Sequence, residues 1–289
     1  MSDKEQMRKM KIEGKTGAVA GALFVPEAPG SFPCVVLCHG AFEYKENFFS
    51  FCRGLTRQGL AAFAIDMPGH GESAGNRYAI DIDAWVYAIC ATIDFLKNQP
   101  AVDDQRVGAF GFSSGGTAVL EAALQEPRIR SLATLDATVR NYMGPWDTFL
   151  FKTLTDIAEL KKKVTGSDLR LNLQSVLKNA HVATDSAVNE AIVSDPRMLA
   201  AYAAMPLPGA AACAFVDTID RVNGINIPTL VMHGENDEID TKETAEQLYE
   251  RLTCEKSLEI IPESGHCGHL DTHQSMILDL LASWMSTHL

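Results

Sequence analysis

Short apolar runs alternating with helix-period segments constrain this chain more than any other feature of its sequence. Residues 34–38 (CVVLC), 60–65 (LAAFAI), 107–110, 132–135, 229–232 and 258–261 are apolar and too short for helices. Such runs are expected as strands covered on both faces. Between them lie residues 47–58, 81–97 and 114–125, where apolar side chains recur at helical spacing. Phe48, Phe51, Cys52 and Leu55 make one such stripe; Ile82, Trp85, Ile89 and Leu96 make another. Residues 272–287 end the pattern with Met276/Ile277, Leu280/Leu281 and Trp284/Met285, pairs that recur every four residues. The alternation predicts an α/β chain with a mostly parallel central sheet and helices on both faces. Gly14, Gly17 and Gly21, set among small apolar residues before Cys34, predict an antiparallel hairpin at one edge.

From Val139 to Asn226 the alternation stops. Helical patterns fill this stretch, with Phe149-Leu150-Phe151, Lys161-Lys162-Lys163, Met198, Leu199, Tyr202 and Met205, then Pro206-Leu207-Pro208-Gly209 and a bland 210–214. A helical insertion over 139–226 is expected, flanked by a core of 1–138 and 227–289. The chain of 289 residues is long enough for one large core with such an insert. Its net charge of −12 repels phosphate backbones and argues against a nucleic-acid partner. The charged start, MSDKEQMRKMK, lacks the apolar core of a signal peptide, and no apolar run reaches membrane-spanning length. The seven cysteines, odd in number and scattered through apolar segments, are expected as reduced thiols of a cytoplasmic protein.

The chemistry is carried by Gly108–Gly116, GAFGFSSGG. Gly111-Phe112-Ser113-Ser114-Gly115 fits G-x-S-x-G only with Ser113 at the centre, between a predicted strand and a predicted helix. In such an elbow the serine occupies a tight turn, and its second neighbours must be small because backbone crowds them. A plain glycine-rich turn with Ser114 as helix cap is the structural alternative. A phosphate cradle is excluded, because no lysine follows the glycines and no G-x-G-x-x-G register fits. Gly14-Lys15-Thr16 mimics the end of a P-loop, but position 9 is lysine rather than glycine.

A serine nucleophile needs a base, and the base needs an orienting acid, in the chain order Ser, Asp or Glu, His. LVMHGENDEID places Asp237 just past one strand, and IIPESGH places His266 just past the next. Loops beyond parallel strand ends share one edge of the sheet, so Ser113, Asp237 and His266 are expected to converge. Glu238 and Asp240 are read as solvated loop carboxylates, and Asp136 as a second candidate acid one strand earlier. His266, Cys267, His269, Asp271 and His273 are spaced closely enough to be considered as metal ligands, but no second cluster completes a tetrahedral set. His39 and His233, each before a glycine, are read as structural. Cys267 is a conceivable nucleophile without an elbow.

Together these segments resemble the α/β-hydrolase superfamily over nearly the whole chain. His39-Gly40-Ala41-Phe42 resembles its oxyanion loop, Asp66–Ser73 (DMPGHGES) its D-x-x-G-x-G-x-S segment, and the elbow, HGEND and SGH follow in order. The resemblance implies an oxyanion hole from the backbone N–H groups of Ala41 and Ser114, and a helical cap at 139–226. It is nearest the esterase, monoglyceride-lipase-like and thioesterase members. The function it implies is cleavage of a small-to-medium acyl ester by a Ser113–His266–Asp237 triad, with no metal or organic cofactor and a small-molecule partner. Phe42, Trp146, Tyr202 and Met205 are the expected substrate contacts, with Phe149, Met198 and Phe215 as further apolar surface. Thioesterase, acyltransferase and C–C hydrolase chemistry stay open on the same triad, as do a non-catalytic binding protein and a homo-oligomer.

Overall fold

The computed structural model describes residues 7–140 and 143–289. The first six residues, part of the N-terminal reading, and residues 141–142 of the expected insertion lie outside that description. The central sheet is built from β1 (Met7–Gly14), β2 (Gly17–Phe24), β3 (Phe32–Cys38), β4 (Ala61–Ile65), β5 (Val102–Phe112), β6 (Ile129–Leu135), β9 (Thr229–Gly234) and β10 (Lys256–Ile261). Their order is β1-β2-β4-β3-β5-β6-β9-β10. β1 pairs antiparallel with β2, and β2 with β4; every other neighbour in this sheet is parallel. The edge hairpin and the doubly covered parallel core expected from the sequence are both present.

Strand side chains alternate between two cores. Cys34, Val36 and Cys38 of β3 face the core completed by α2 (Ile82–Leu96), α3 (Ser114–Ala123) and α9 (Lys242–Arg251). Val35 and Leu37 face the core completed by α1 (Phe49–Arg57) and α10 (Gln274–His288). Burial on both faces is what makes the strands read as unbroken apolar runs. The start of β5 did not read that way, because its first residues, VDDQR, are mostly polar and partly exposed.

Between β6 and β9 the chain forms α4 (Pro145–Thr165), α5 (Gln174–Lys178), α6 (Ser186–Ser194), α7 (Pro196–Ala203) and α8 (Leu207–Ala214). A two-residue ladder joins β7 (Arg170–Leu171) to β8 (Met205–Pro206). The bland alanine run at 210–214 forms the end of a helix; alanine is the strongest helix former. Asp185 and Asp195 each cap a helix by accepting backbone N–H bonds, which sets the turn between α6 and α7. Among the described residues no helix is long and apolar enough to cross a membrane.

Candidate functional site

Ser113 stands between β5 and α3 with φ 50° and ψ −122°, a strained conformation for a residue with a side chain. Its amide donates to the Leu135 carbonyl and its carbonyl accepts from the Thr117 amide, so β6 and α3 hold the strain in place. A Cβ on Gly115 would come 2.4 Å from the carbonyl oxygens of Cys38 and His39. A Cβ on Gly40 would come 3.0 Å from the Ser113 Cβ, so the His39–Phe42 loop abuts the elbow. Ser114 opens α3, where backbone N–H groups have no partner within the helix and the dipole is positive.

His266 lies beyond β10 and Asp237 beyond β9, as the strand ends require. His266 Nδ1 and Asp237 Oδ2 are 2.7 Å apart, and both residues are buried. The other Asp237 oxygen accepts the backbone N–H groups of Ile239 and Asp240 at 2.8 and 3.1 Å. Donation by Nδ1–H to the carboxylate leaves Nε2 as the basic nitrogen. Burial opposes charging the imidazole, but the carboxylates of Asp237, Asp136 and Asp240 outweigh it and raise its pKa to about 9.

Asp136, at the end of β6, is the second acid considered from the sequence. It is fully buried and also left-handed, with φ 49°. One oxygen accepts the Gly234 N–H at 2.7 Å; the other has no hydrogen-bond partner. Burial, then the neighbouring Asp237, pushes its carboxyl well above the usual range. Asp136, Asp237 and His266 have polar atoms within 4.8 Å of one another, the one group of metal-ligand spacing among the described residues. The short His266–Asp237 contact accounts for two members and Gly234 for one Asp136 oxygen. The sequence cluster after His266 is dispersed: His269 pairs with Glu43 at 3.2 Å, and Asp271 accepts the Thr184 and Asp185 amides.

Ser113, Ser114, Ala41 and His266 all line one cavity of about 320 Å³. Phe42, Tyr202 and Met205 line it too, the Phe42 and Tyr202 rings 4.2 Å apart. Trp146 does not: it is 79% exposed on α4. Phe149 and Phe215 are also exposed, whereas Met198 reaches the cavity. α4 turns its large apolar residues outward, which helical spacing within the insertion could not disclose. Asp240 also departs from its reading as a solvated carboxylate. It is buried at the cavity wall, where its Oδ2 accepts the Thr138 hydroxyl at 2.7 Å; Glu238 is exposed.

Glu43 was missed. It is buried beside the cavity, accepts from Asn47 and faces His269, and stands 3.4 Å from the Gly40 amide. Burial opposes its ionisation, yet His269 holds the carboxyl below its usual range. Its place two residues after Ala41 was the only local signal, because its partner is 226 positions away. His39 and His233 tie loops together: His39 Nε2 accepts the Met67 amide and His233 Nε2 donates to the Asp240 carbonyl. Burial pushes the Cys267 thiol well above its usual range, so it is held as an un-ionised thiol.

A mostly parallel sheet of this order, with these loops along one edge, defines an α/β hydrolase. The family model for serine aminopeptidase S33 matches residues 31–273, and the chain belongs to that family. It is 25% identical over 285 residues to an Escherichia coli protein described as an uncharacterized 31.7 kDa protein in the traX-finO intergenic region, covering 92% of this chain and 94% of that one. It is 31% identical over 169 residues to the esterase FrsA of Escherichia fergusonii, which covers 57% of this chain and 39% of that protein. The crystal structure of the α/β hydrolase GrgF from Penicillium sp. sh18 superposes with a TM-score of 0.80 at 16% identity, covering 98% of each chain.

Proposed function

We propose that the chain is a serine hydrolase that cleaves a carboxylic ester of a small or medium acyl group. The observation that carries this reading is the buried 2.7 Å His266–Asp237 contact on the cavity that holds the strained Ser113. Ser113 Oγ attacks the ester carbonyl while His266 Nε2 takes its proton. Asp237 holds the imidazole in the required tautomer and stabilises the imidazolium. The N–H groups of Ala41 and Ser114 receive the oxyanion; losing one such donor typically costs about 2.7–4 kcal/mol of barrier. His266 then protonates the leaving alcohol, and water repeats the sequence to release the acid from Ser113.

The helices of 139–226 act as a cap over this site. Tyr202, Met205 and Cys213 come from them and Phe42 from the core, so the acyl group meets a mostly apolar wall. A cavity near 320 Å³ lies at the low end of the range for small-molecule sites, which suits a short acyl chain. The family name suggests peptides, but binding a free α-amino group would need an available carboxylate. Glu43 is engaged by His269 and Asn47, and Asp240 by Thr138. The likeness to esterase FrsA supports an ester.

The test is turnover of p-nitrophenyl acetate, butyrate and octanoate, beside amino-acid p-nitroanilides, by wild type, Ser113→Ala and Ser114→Ala. Ester turnover lost in Ser113→Ala, with acyl trapped on the Ser113 peptide in wild type, is expected. Equal activity in Ser113→Ala overturns the nucleophile, and faster turnover of the anilides overturns the ester.

A further inference from the structure

The most exposed apolar surface among the described residues lies on α4, away from the catalytic cavity. Trp146, Phe149, Leu150, Leu154, Ile157, Leu160 and Val164 are each between 46% and 79% exposed. At 3.6 residues per turn all seven fall within an arc of roughly 140°. The side of the helix next to the Leu154 edge of the stripe holds it to the protein: Ala158 is buried, and the Phe151 ring lies 5.9 Å from that of Phe215 after α8. A stripe of this kind, running along a helix of 21 residues, is more than the scattered exposed apolar residues of an ordinary surface.

We infer that this stripe is the contact between two copies of the chain, with their α4 helices packed antiparallel about a twofold axis at Leu154. The charges beside the stripe point to that occupant and register. Asp147 lies just outside one edge of the stripe and Lys161 just inside the same edge, seven residues either side of Leu154. Lys152 and Asp156 lie on the other flank, two residues either side. In an antiparallel twofold pair each flank meets its own counterpart, so both sets place acid opposite base about the same centre. Lys161 donates one proton to the Asp168 carbonyl and retains two for Asp147 of the second copy. Ile157 and Leu150 cross near the axis, and Trp146 and Val164 close the ends.

A lipid surface is the other occupant an apolar helix face could take. The charges argue against it: the chain carries −12, and the flanks mix both signs where an interfacial helix carries a basic face. A contact of two helices about 31 Å long falls at the low end of interface sizes, so the dimer dissociates on dilution. α4 packs on α8, whose Cys213 lines the catalytic cavity, so the same contact steadies one wall of the site.

Sedimentation velocity of the full chain, from nanomolar to hundred-micromolar concentration, tests this. A 31.4 kDa monomer that doubles in mass with concentration is expected. Leu154→Lys with Ile157→Lys abolishes the doubling, Asp147→Lys weakens it at least tenfold, and Asp147→Lys with Lys161→Asp restores it. Register is read independently of charge by oxidative cross-linking, with wild type as control. Leu154→Cys sits on the axis and forms a disulfide-linked dimer; Trp146→Cys, far from it, does not. A monomer at every concentration, a dimer indifferent to the Leu154 and Ile157 changes, or cross-linking at Trp146→Cys but not Leu154→Cys overturns the inference. So does a monomer that floats with neutral phosphatidylcholine vesicles through the same residues.

Discussion

At the scale of single residues, two buried aspartates compete for one histidine. Asp237 has the 2.7 Å contact with His266 Nδ1 and spends its other oxygen on two backbone amides. Asp136 has one amide and one unpartnered oxygen, and burial favours its neutral form. Asparagine in place of Asp237 keeps the shape and removes the charge, so kcat should fall by about 10⁴, as loss of an orienting acid does elsewhere. Asparagine in place of Asp136 leaves the Asp237 carboxylate and its contact with His266 in place, so kcat should change less than about tenfold. Steady-state kinetics on one p-nitrophenyl ester checks both. The reverse ranking would make Asp136 the orienting acid. The sequence made this pair visible because each aspartate follows an apolar strand, Asp136 directly after β6 and Asp237 in the loop beyond β9. It could not rank them, since hydrogen-bond partners come from folded loops.

At the scale of elements, the elbow was the most legible part of the chain and the insertion the least. Ser113 could be placed because a strand, a tight turn and a helix each leave a local mark, and the turn demands glycine where backbones meet. That demand is testable: a methyl at Gly115 meets two backbone carbonyl oxygens of the β3 end at 2.4 Å, and backbone cannot step aside. Gly115→Ala should lower stability by roughly 1–3 kcal/mol, as overpacking does. It should lower ester turnover further, because β3 leads directly to Ala41. Urea unfolding and initial rates measure the two effects, and an unchanged midpoint with full activity would contradict the close approach. α9 escaped the reading for the opposite reason. Only Thr244, Ala245 and Leu248 are buried in KETAEQLYER, too thin a stripe to separate from a charged loop. The helices after β6 were legible as helical but not as oriented. Spacing marks Trp146 and Tyr202 alike as apolar, and only packing shows that one faces out and the other lines the cavity.

At the scale of the whole molecule, the arrangement that serves the proposed reaction sets catalysis against stability across one pH window. His266 is held protonated up to about pH 9 by the carboxylates around it, against an ordinary value of 6.5. A base must be unprotonated to accept the Ser113 proton, so kcat/KM should climb with pH through that window and level off near 9. The folded state binds the proton more tightly than the unfolded chain does. Its contribution is therefore full below pH 6.5 and is lost as pH rises through about 9, by an amount on the order of 3 kcal/mol. Asp136 and Asp240, whose carboxyls burial raises, act in the same sense, so they do not reverse the slope. Thermal midpoints should fall over the interval in which ester turnover rises. Asp237→Asn removes the carboxylate nearest His266 and should flatten the stability change while erasing the rate. A variant that lost activity but kept the wild-type stability profile would trace the slope to another group. Parallel scans of melting temperature and kcat/KM at half-unit pH steps distinguish the two.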